Sequence, residues 1–122
     1  MQEPERIVAR HAALQIELQE LASTDGREYV AVRNAILKLG FADARLGYPW
    51  TSAVRGADGR GLRELRPRGG RSRVRVLYTQ RSTTTILLAL APEGGDDPRG
   101  FHRAVLAAQN RRASIIDDEV ST

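Results

Sequence analysis

Gly61–Thr79, GLRELRPRGGRSRVRVLYT, is the stretch whose reading decides the fold. Side chains of a strand alternate between two faces. Gly61–Arg66 obeys that rule, with Leu62, Glu64 and Arg66 on one face and Arg63 and Leu65 on the other. Pro67–Ser72 (PRGGRS) combines a proline with two glycines and predicts a turn. Arg73–Thr79 alternates again, Arg73, Arg75 and Leu77 against Val74, Val76 and Tyr78. Two alternating runs around a glycine-rich turn make a hairpin. Gln80–Ser82 turns the chain once more, and Thr83–Ala91 (TTTILLALA) is β-branched, then continuously apolar, as a covered central strand is.

Upstream, residues 6–22 place Ile7, Leu14, Leu18 and Leu21 at helical spacing, although the segment around Arg6–Arg10 also suits a short edge strand. Thr24 or Asp25 can cap a second helix over 27–39, whose stripe is Tyr29, Val32, Ala35, Ile36 and Leu39 and whose end is Gly40. Residues 41–58, with Gly47, Pro49 and Gly56, read as connection. Downstream, Pro92–Pro98 is a loop and Gly100–Arg112 a last helix with Phe101, Val105, Leu106 and Ala108 inward. The expected fold is α+β: an N-terminal helical hairpin, a three- to four-stranded antiparallel sheet and a C-terminal helix. The helices are expected on one sheet face, leaving the other free. Residues 1–113 form a single domain, and 114–122 an acidic, flexible tail.

Charge is concentrated where the hairpin lies. Residues 55–81 hold nine arginines against two acids, Asp58 and Glu64, a net +7 in a chain of net +4. Lys38 is the one lysine, a skew that high genomic GC content is enough to produce, whereas codon bias does not explain where the arginines fall. The absence of cysteine excludes disulfides, thiolate metal sites and thiol catalysis, and suits a reducing cytoplasm. No apolar run approaches the ~20 residues that cross a bilayer. Met1–Arg6 is polar and acidic, unlike a signal or transit peptide.

Arg73 and Arg75, two residues apart on one strand, are expected to project from one face about 6.5–7 Å from each other. Arg66 lies across the hairpin from them, and Arg68 and Arg71 lie on the turn. Planar guanidinium forks suit phosphate oxygens and stack on bases. The same strip is also read as a solvated sheet face, or as the docking surface of an acidic protein. The other candidates are weaker. His11 and His102 sit on separate helices without acidic companions at ligand spacing, so no metal site is expected. Gly56–Gly61 (GADGRG) lacks both the spaced acids of a calcium loop and the Gly-Lys-Ser/Thr ending of a phosphate loop. Asp96 and Asp97 suit a helix cap. Tyr78 points with the valines, toward a core, unless the strand bulges.

Gly61-Leu-Arg-Glu-Leu-Arg-Pro67, a glycine-rich turn, Arg73–Tyr78 and an apolar strand together resemble the RelE/HigB-like toxins of bacterial type II toxin–antitoxin systems, within the RelE/ParE superfamily. The similarity is to the phage-derived branch. It extends upstream through Ala35–Gly40 and Arg45–Pro49, downstream to Gly100–Arg103, and covers about residues 28–112. The resemblance implies a cytoplasmic toxin that enters the ribosome and cuts mRNA there. It implies a metal-independent endoribonuclease without cofactor, in which the ribose 2′-hydroxyl attacks the adjacent phosphate. Carried over, Arg75 stabilises the phosphate, Arg66 positions it, and Tyr78 is an acid, base or stacking group. Arg63, Arg68, Arg71 and Arg73 contact RNA, and Glu64 fixes an arginine. The implied partner is a small antitoxin with a helix-turn-helix, and no membrane is involved. Where many members carry a basic segment after the third strand, this chain has Ala91–Asp97 with three acids. Two alternatives therefore stand beside the ribonuclease: a gyrase-inhibiting toxin of the ParE branch, and a relative that binds RNA or a partner without cutting.

Overall fold

Thr84–Pro92 is the spine of a five-stranded sheet in a computed structural model that describes residues 7–42 and 46–121, with side chains for 7–41 and 46–115. Met1–Arg6, and Arg45 of the connection quoted above, lie outside the described residues. In chain order the elements are β1 (Ile7–Arg10), α1 (Ala12–Thr24), α2 (Gly26–Ala42), β2 (Thr51–Ala53), β3 (Arg63–Leu65), β4 (Val74–Arg81), β5 (Thr84–Pro92) and α3 (Pro98–Ser121). The sheet order is β1-β5-β4-β3-β2. All neighbours are antiparallel except β1, which runs parallel to β5 with Ile7 opposite Thr84. The fold class is the one expected. The sheet gains a strand at each edge because Ile7–Arg10 forms the short edge strand and Thr51–Ala53 is drawn out of the connection to pair with β3.

Local chemistry explains the helix boundaries. His11 ends β1 and caps α1, its Nδ1 accepting from the Ala13 amide at 3.0 Å. Asp25 serves two helices. Its amide donates to the Leu21 carbonyl at 2.8 Å, closing α1, while its carboxylate accepts from the Glu28 amide at 3.2 Å, opening α2. Asp97 caps α3 by accepting from the Gly100 amide at 2.9 Å. That helix continues beyond Arg112 to Ser121, into the segment set apart above as a tail.

Both faces of the sheet are covered, which corrects the expectation of one free face. Leu14 and Leu18 of α1 and Val32, Ala35, Ile36 and Leu39 of α2 pack on Leu65, Val76, Tyr78 and Leu87. Val105 and Ala108 of α3 pack on the opposite face against Leu62, Leu77, Ile86, Leu88, Ala89 and Ala91. The continuously apolar run of β5 is the cause: a strand without polar alternation needs cover on both sides. Its register also shifts, Leu77 facing Ala89 and Tyr78 facing Leu87. The extra residue lets neighbouring Leu88 and Ala89 both enter the α3 core.

Beyond Arg10, no strand among the described residues covers the outer edge of β5. Two side chains take that place. Glu17 Oε1 accepts from the Leu90 amide at 3.0 Å, and Arg111 Nη1 donates to the Leu88 carbonyl at 2.7 Å. The two are joined to each other at 3.0 and 3.1 Å, a fork-to-fork pair that ties α1 to α3. Among the described residues no helix is long and apolar enough to cross a membrane.

Candidate nucleic-acid interface

The turn of the arginine hairpin is built by Arg75. Pro67–Gly70 forms a tight 3-10 turn in which Arg68, Gly69 and Gly70 have φ of 58°, 63° and 96°. At Gly70 the φ of 96° is what favours glycine, since an L side chain there is strained whatever the space around it. Arg75 is 3% exposed. Its Nη1 donates to the Ser72 carbonyl at 2.6 Å and the Val74 carbonyl at 3.2 Å, and its Nη2 to the Gly70 carbonyl at 3.1 Å. Its Nε lies 3.6 Å from Glu64 Oε1. Burial first, and then the Arg66 charge, hold this guanidinium below its ordinary pKa, with Glu64 opposing. Ser72, also buried, donates its hydroxyl to Glu28 of α2 and so fastens the turn to the helical layer.

The arginines and Tyr78 do not form one platform. Arg66 and Arg75 meet around Glu64 on the α3 side, Arg66 Nη1 lying 2.9 Å from Glu64 Oε1. Arg66 Nε also donates to the Pro49 carbonyl at 3.0 Å. Arg63 and Tyr78 are register partners on the α1/α2 side. There Arg63 Nε is 3.4 Å from the Tyr78 hydroxyl, and its Nη2 donates to Thr51 Oγ1 at 3.1 Å. Tyr78 is 1% exposed and part of the core, as strict alternation indicates. Arg68 and Arg71 are exposed on the turn, where Arg71 Nε donates to the Arg68 carbonyl at 3.0 Å.

Arg73 departs from its expected place beside Arg75. β4 begins only at Val74, so alternation does not reach back to it. It lies in a groove on the α1 side with Glu17, Glu20 and Thr24.

The cleft that opens on the α3 side joins members of the arginine strip to residues that the arginine pattern does not single out. Tyr48, Ser52, Arg55, Glu64, Arg66 and Phe101, with residues 93–95, bound a space of about 780 Å³. Tyr48 is 77% exposed, and the Arg66 guanidinium carbon lies 5.3 Å from its ring centroid. Arg55 is an exposed residue of the cleft lining and makes no hydrogen bond or ion pair among the described residues. Glu93 is held on the rim by the Gly95 and Asp96 amides at 3.0 and 2.8 Å, which push its pKa below the ordinary carboxylate value. Of this wall only Tyr48 carried a signal, an aromatic side chain before Pro49 in a segment read as connection. Among the described residues no His, Asp and Glu side chains group as a metal site.

This two-sided arrangement of hairpin, sheet and helices has a known counterpart. The fold is that of a YoeB/ParE toxin. A structure described as "YoeB/ParE toxin from Agrobacterium tumefaciens" superposes with a TM-score of 0.51, covering 69% of this chain and 94% of that one at 11% identity. At that identity the likeness is one of fold. No protein-family model matches the chain, and no curated protein matches it in sequence.

Proposed function

We propose that this chain is the toxin of a type II toxin–antitoxin pair and that it cuts mRNA on the ribosome without a metal or cofactor. The observation that carries the reading is the Glu64–Arg66 pair, 2.9 Å apart in a cleft that also presents Arg55 and Tyr48. In the reaction the 2′ oxygen attacks the adjacent phosphorus and the bond to the 5′ oxygen breaks. The products are a 2′,3′-cyclic phosphate and a 5′-hydroxyl end.

Arg66 and Arg55 face the phosphoryl oxygens, where negative charge grows in the transition state. Glu64 has one oxygen toward Arg66; the other accepts the proton of the 2′-hydroxyl. Solvent returns a proton to the departing 5′ oxygen. Tyr48 and Phe101 flank the cleft as stacking surfaces for bases. Arg75 acts from beneath, as fixed positive charge behind Glu64. Tyr78 is a core residue outside the chemistry, and Arg63 with the exposed Arg68, Arg71 and Arg73 adds attraction for the RNA backbone. The partner is an antitoxin, with a helix-turn-helix, that covers the basic hairpin. The site of action is the cytoplasm.

A second reading is favoured by one observation: Glu64 already compensates Arg66 and Arg75, as suits a surface that binds protein without hydrolysing RNA. On that reading the target is gyrase. Expression of the chain without its antitoxin separates the two. Arrest with new mRNA ends carrying 5′-hydroxyls, relieved by Arg66→Ala, supports the ribonuclease. Arrest with gyrase-linked DNA breaks and intact messengers supports the alternative. A folded, abundant protein that leaves growth unaffected overturns both.

A further inference from the structure

The outward face of α2 is exposed and of unusual character. Arg27, Val30, Arg33, Asn34, Leu37, Lys38 and Phe41 all lie exposed on it, and no acid is among them. Val30, Leu37 and Phe41 are 42%, 55% and 72% exposed. With Asn34 they recur at 30, 34, 37 and 41, one continuous helical stripe. At a rise of about 1.5 Å per residue the stripe is roughly 16 Å long, three turns of helix.

A pocket of about 210 Å³ opens beside the stripe. Val30, Ala31, Ala35, Leu46 and Leu65 give it apolar walls, and Trp50 closes one side with Lys38 Nζ 3.7 Å over its ring. Arg66 and Arg68 complete its lining, and among the described residues no carboxylate takes part.

We propose that this face is the docking surface for an acidic amphipathic helix of a partner protein, with one large apolar side chain seated in the Trp50 pocket. Three aliphatic and aromatic side chains at helical spacing offer ridges and grooves to another helix. Arg27, Arg33 and Lys38 flank the stripe and Arg66 and Arg68 flank the pocket, so the complementary helix carries carboxylates around its apolar residues. A second copy pairing through the same face sets these cations against themselves, which opposes self-association. A nucleic acid uses the cations but leaves Val30 and Leu37 without a partner. The proposal goes beyond the toxin reading and does not depend on it.

Trp50 is the only tryptophan in the chain, so its fluorescence reports this pocket alone. The probe is a synthetic helical peptide of about 18 residues with leucine at positions 4, 8, 11 and 15, glutamate beside them and alanine and glutamine elsewhere. The control is a scrambled peptide of the same composition. The expected result is a saturable change in Trp50 emission with the patterned peptide. Affinity falls at least ten-fold in Arg33→Glu and in Leu37→Asp, both exposed positions, with circular dichroism unchanged. Failure to bind, equal binding of the scrambled peptide, or indifference to both substitutions overturns the proposal. So does a dimer of the chain alone, seen by sedimentation, that Leu37→Asp dissociates. A ten-fold loss of single-stranded RNA binding in Leu37→Asp likewise overturns it, by making the face an RNA surface.

Discussion

Arg75 Nη1 donates to the Ser72 carbonyl at 2.6 Å, so the guanidinium expected at a reacting phosphate closes the turn before its own strand. Arg66, by contrast, reaches the cleft with a side chain that is 20% exposed. Loss of each therefore has a different signature. Arg75→Ala strands the Gly70 and Ser72 carbonyls and leaves Glu64 less compensated, a cost of about 2–4 kcal/mol. Arg66→Ala costs about 1 kcal/mol or less, yet abolishes growth arrest. Urea unfolding beside growth curves checks the pair; equal stability losses would remove the distinction.

Tyr78 offers a sharper division between chemistry and packing. Its hydroxyl accepts one long bond, 3.4 Å, from Arg63 Nε, while its ring is buried among Leu14, Val32 and Leu87. Tyr78→Phe is expected to lose about 0.5–1 kcal/mol and keep its toxicity. Tyr78→Ala loses about 3–5 kcal/mol through the cavity it leaves. If the phenylalanine variant is folded and harmless to cells, the hydroxyl itself takes part in the reaction.

The open edge of β5 depends on Glu17 and Arg111. Glu17→Ala removes the acceptor of the Leu90 amide and the partner of Arg111. Because both side chains are partly exposed, at 31% and 20%, water recovers some of the loss, and about 1–2 kcal/mol is expected. The same change frees an apolar strand edge, so concentration-dependent aggregation should rise. Light scattering on the folded variant measures it.

Glu93 provides a pH test. Its pKa is depressed in the folded chain by the Gly95 and Asp96 amides, first and second in importance. A depressed carboxylate contributes stability that is present above its unfolded pKa, ordinarily 4.5, and is lost as pH falls through the lower folded value. Glu93→Gln should therefore be less stable than the parent at pH 7, with the gap closing below the ordinary carboxylate range. A gap that is independent of pH would show that the carboxylate charge contributes nothing.

The hairpin was legible because its evidence is local. Alternation in Arg63–Leu65 and Val74–Tyr78, a turn with Pro67, Gly69 and Gly70, and the unbroken apolar run of β5 each reflect backbone geometry acting over a few residues. The same run also signalled that the sheet is covered on two faces, and the expectation of a free face overlooked it. The site was legible only in part. Glu64, Arg66 and Arg75 come together as strand neighbours do, but Arg73 turned away because the extended backbone begins one residue later. Tyr48, Arg55 and Phe101 belong to three separate segments, and no spacing rule joins them.

The order of residues alone determined the class of the fold, the arginine-rich hairpin and the concentration of charge upon it, because strand alternation, turn chemistry and net charge are properties of neighbours in the chain. Which guanidinium is buried and which is offered, and which distant segments wall the cleft, were decided only by tertiary packing. The Arg75 fork finds its three carbonyls within five residues of itself, and those bonds offset the cost of desolvating its charge. The burial that imposes the cost and the Glu64 carboxylate opposite come from segments that meet only when the chain has folded.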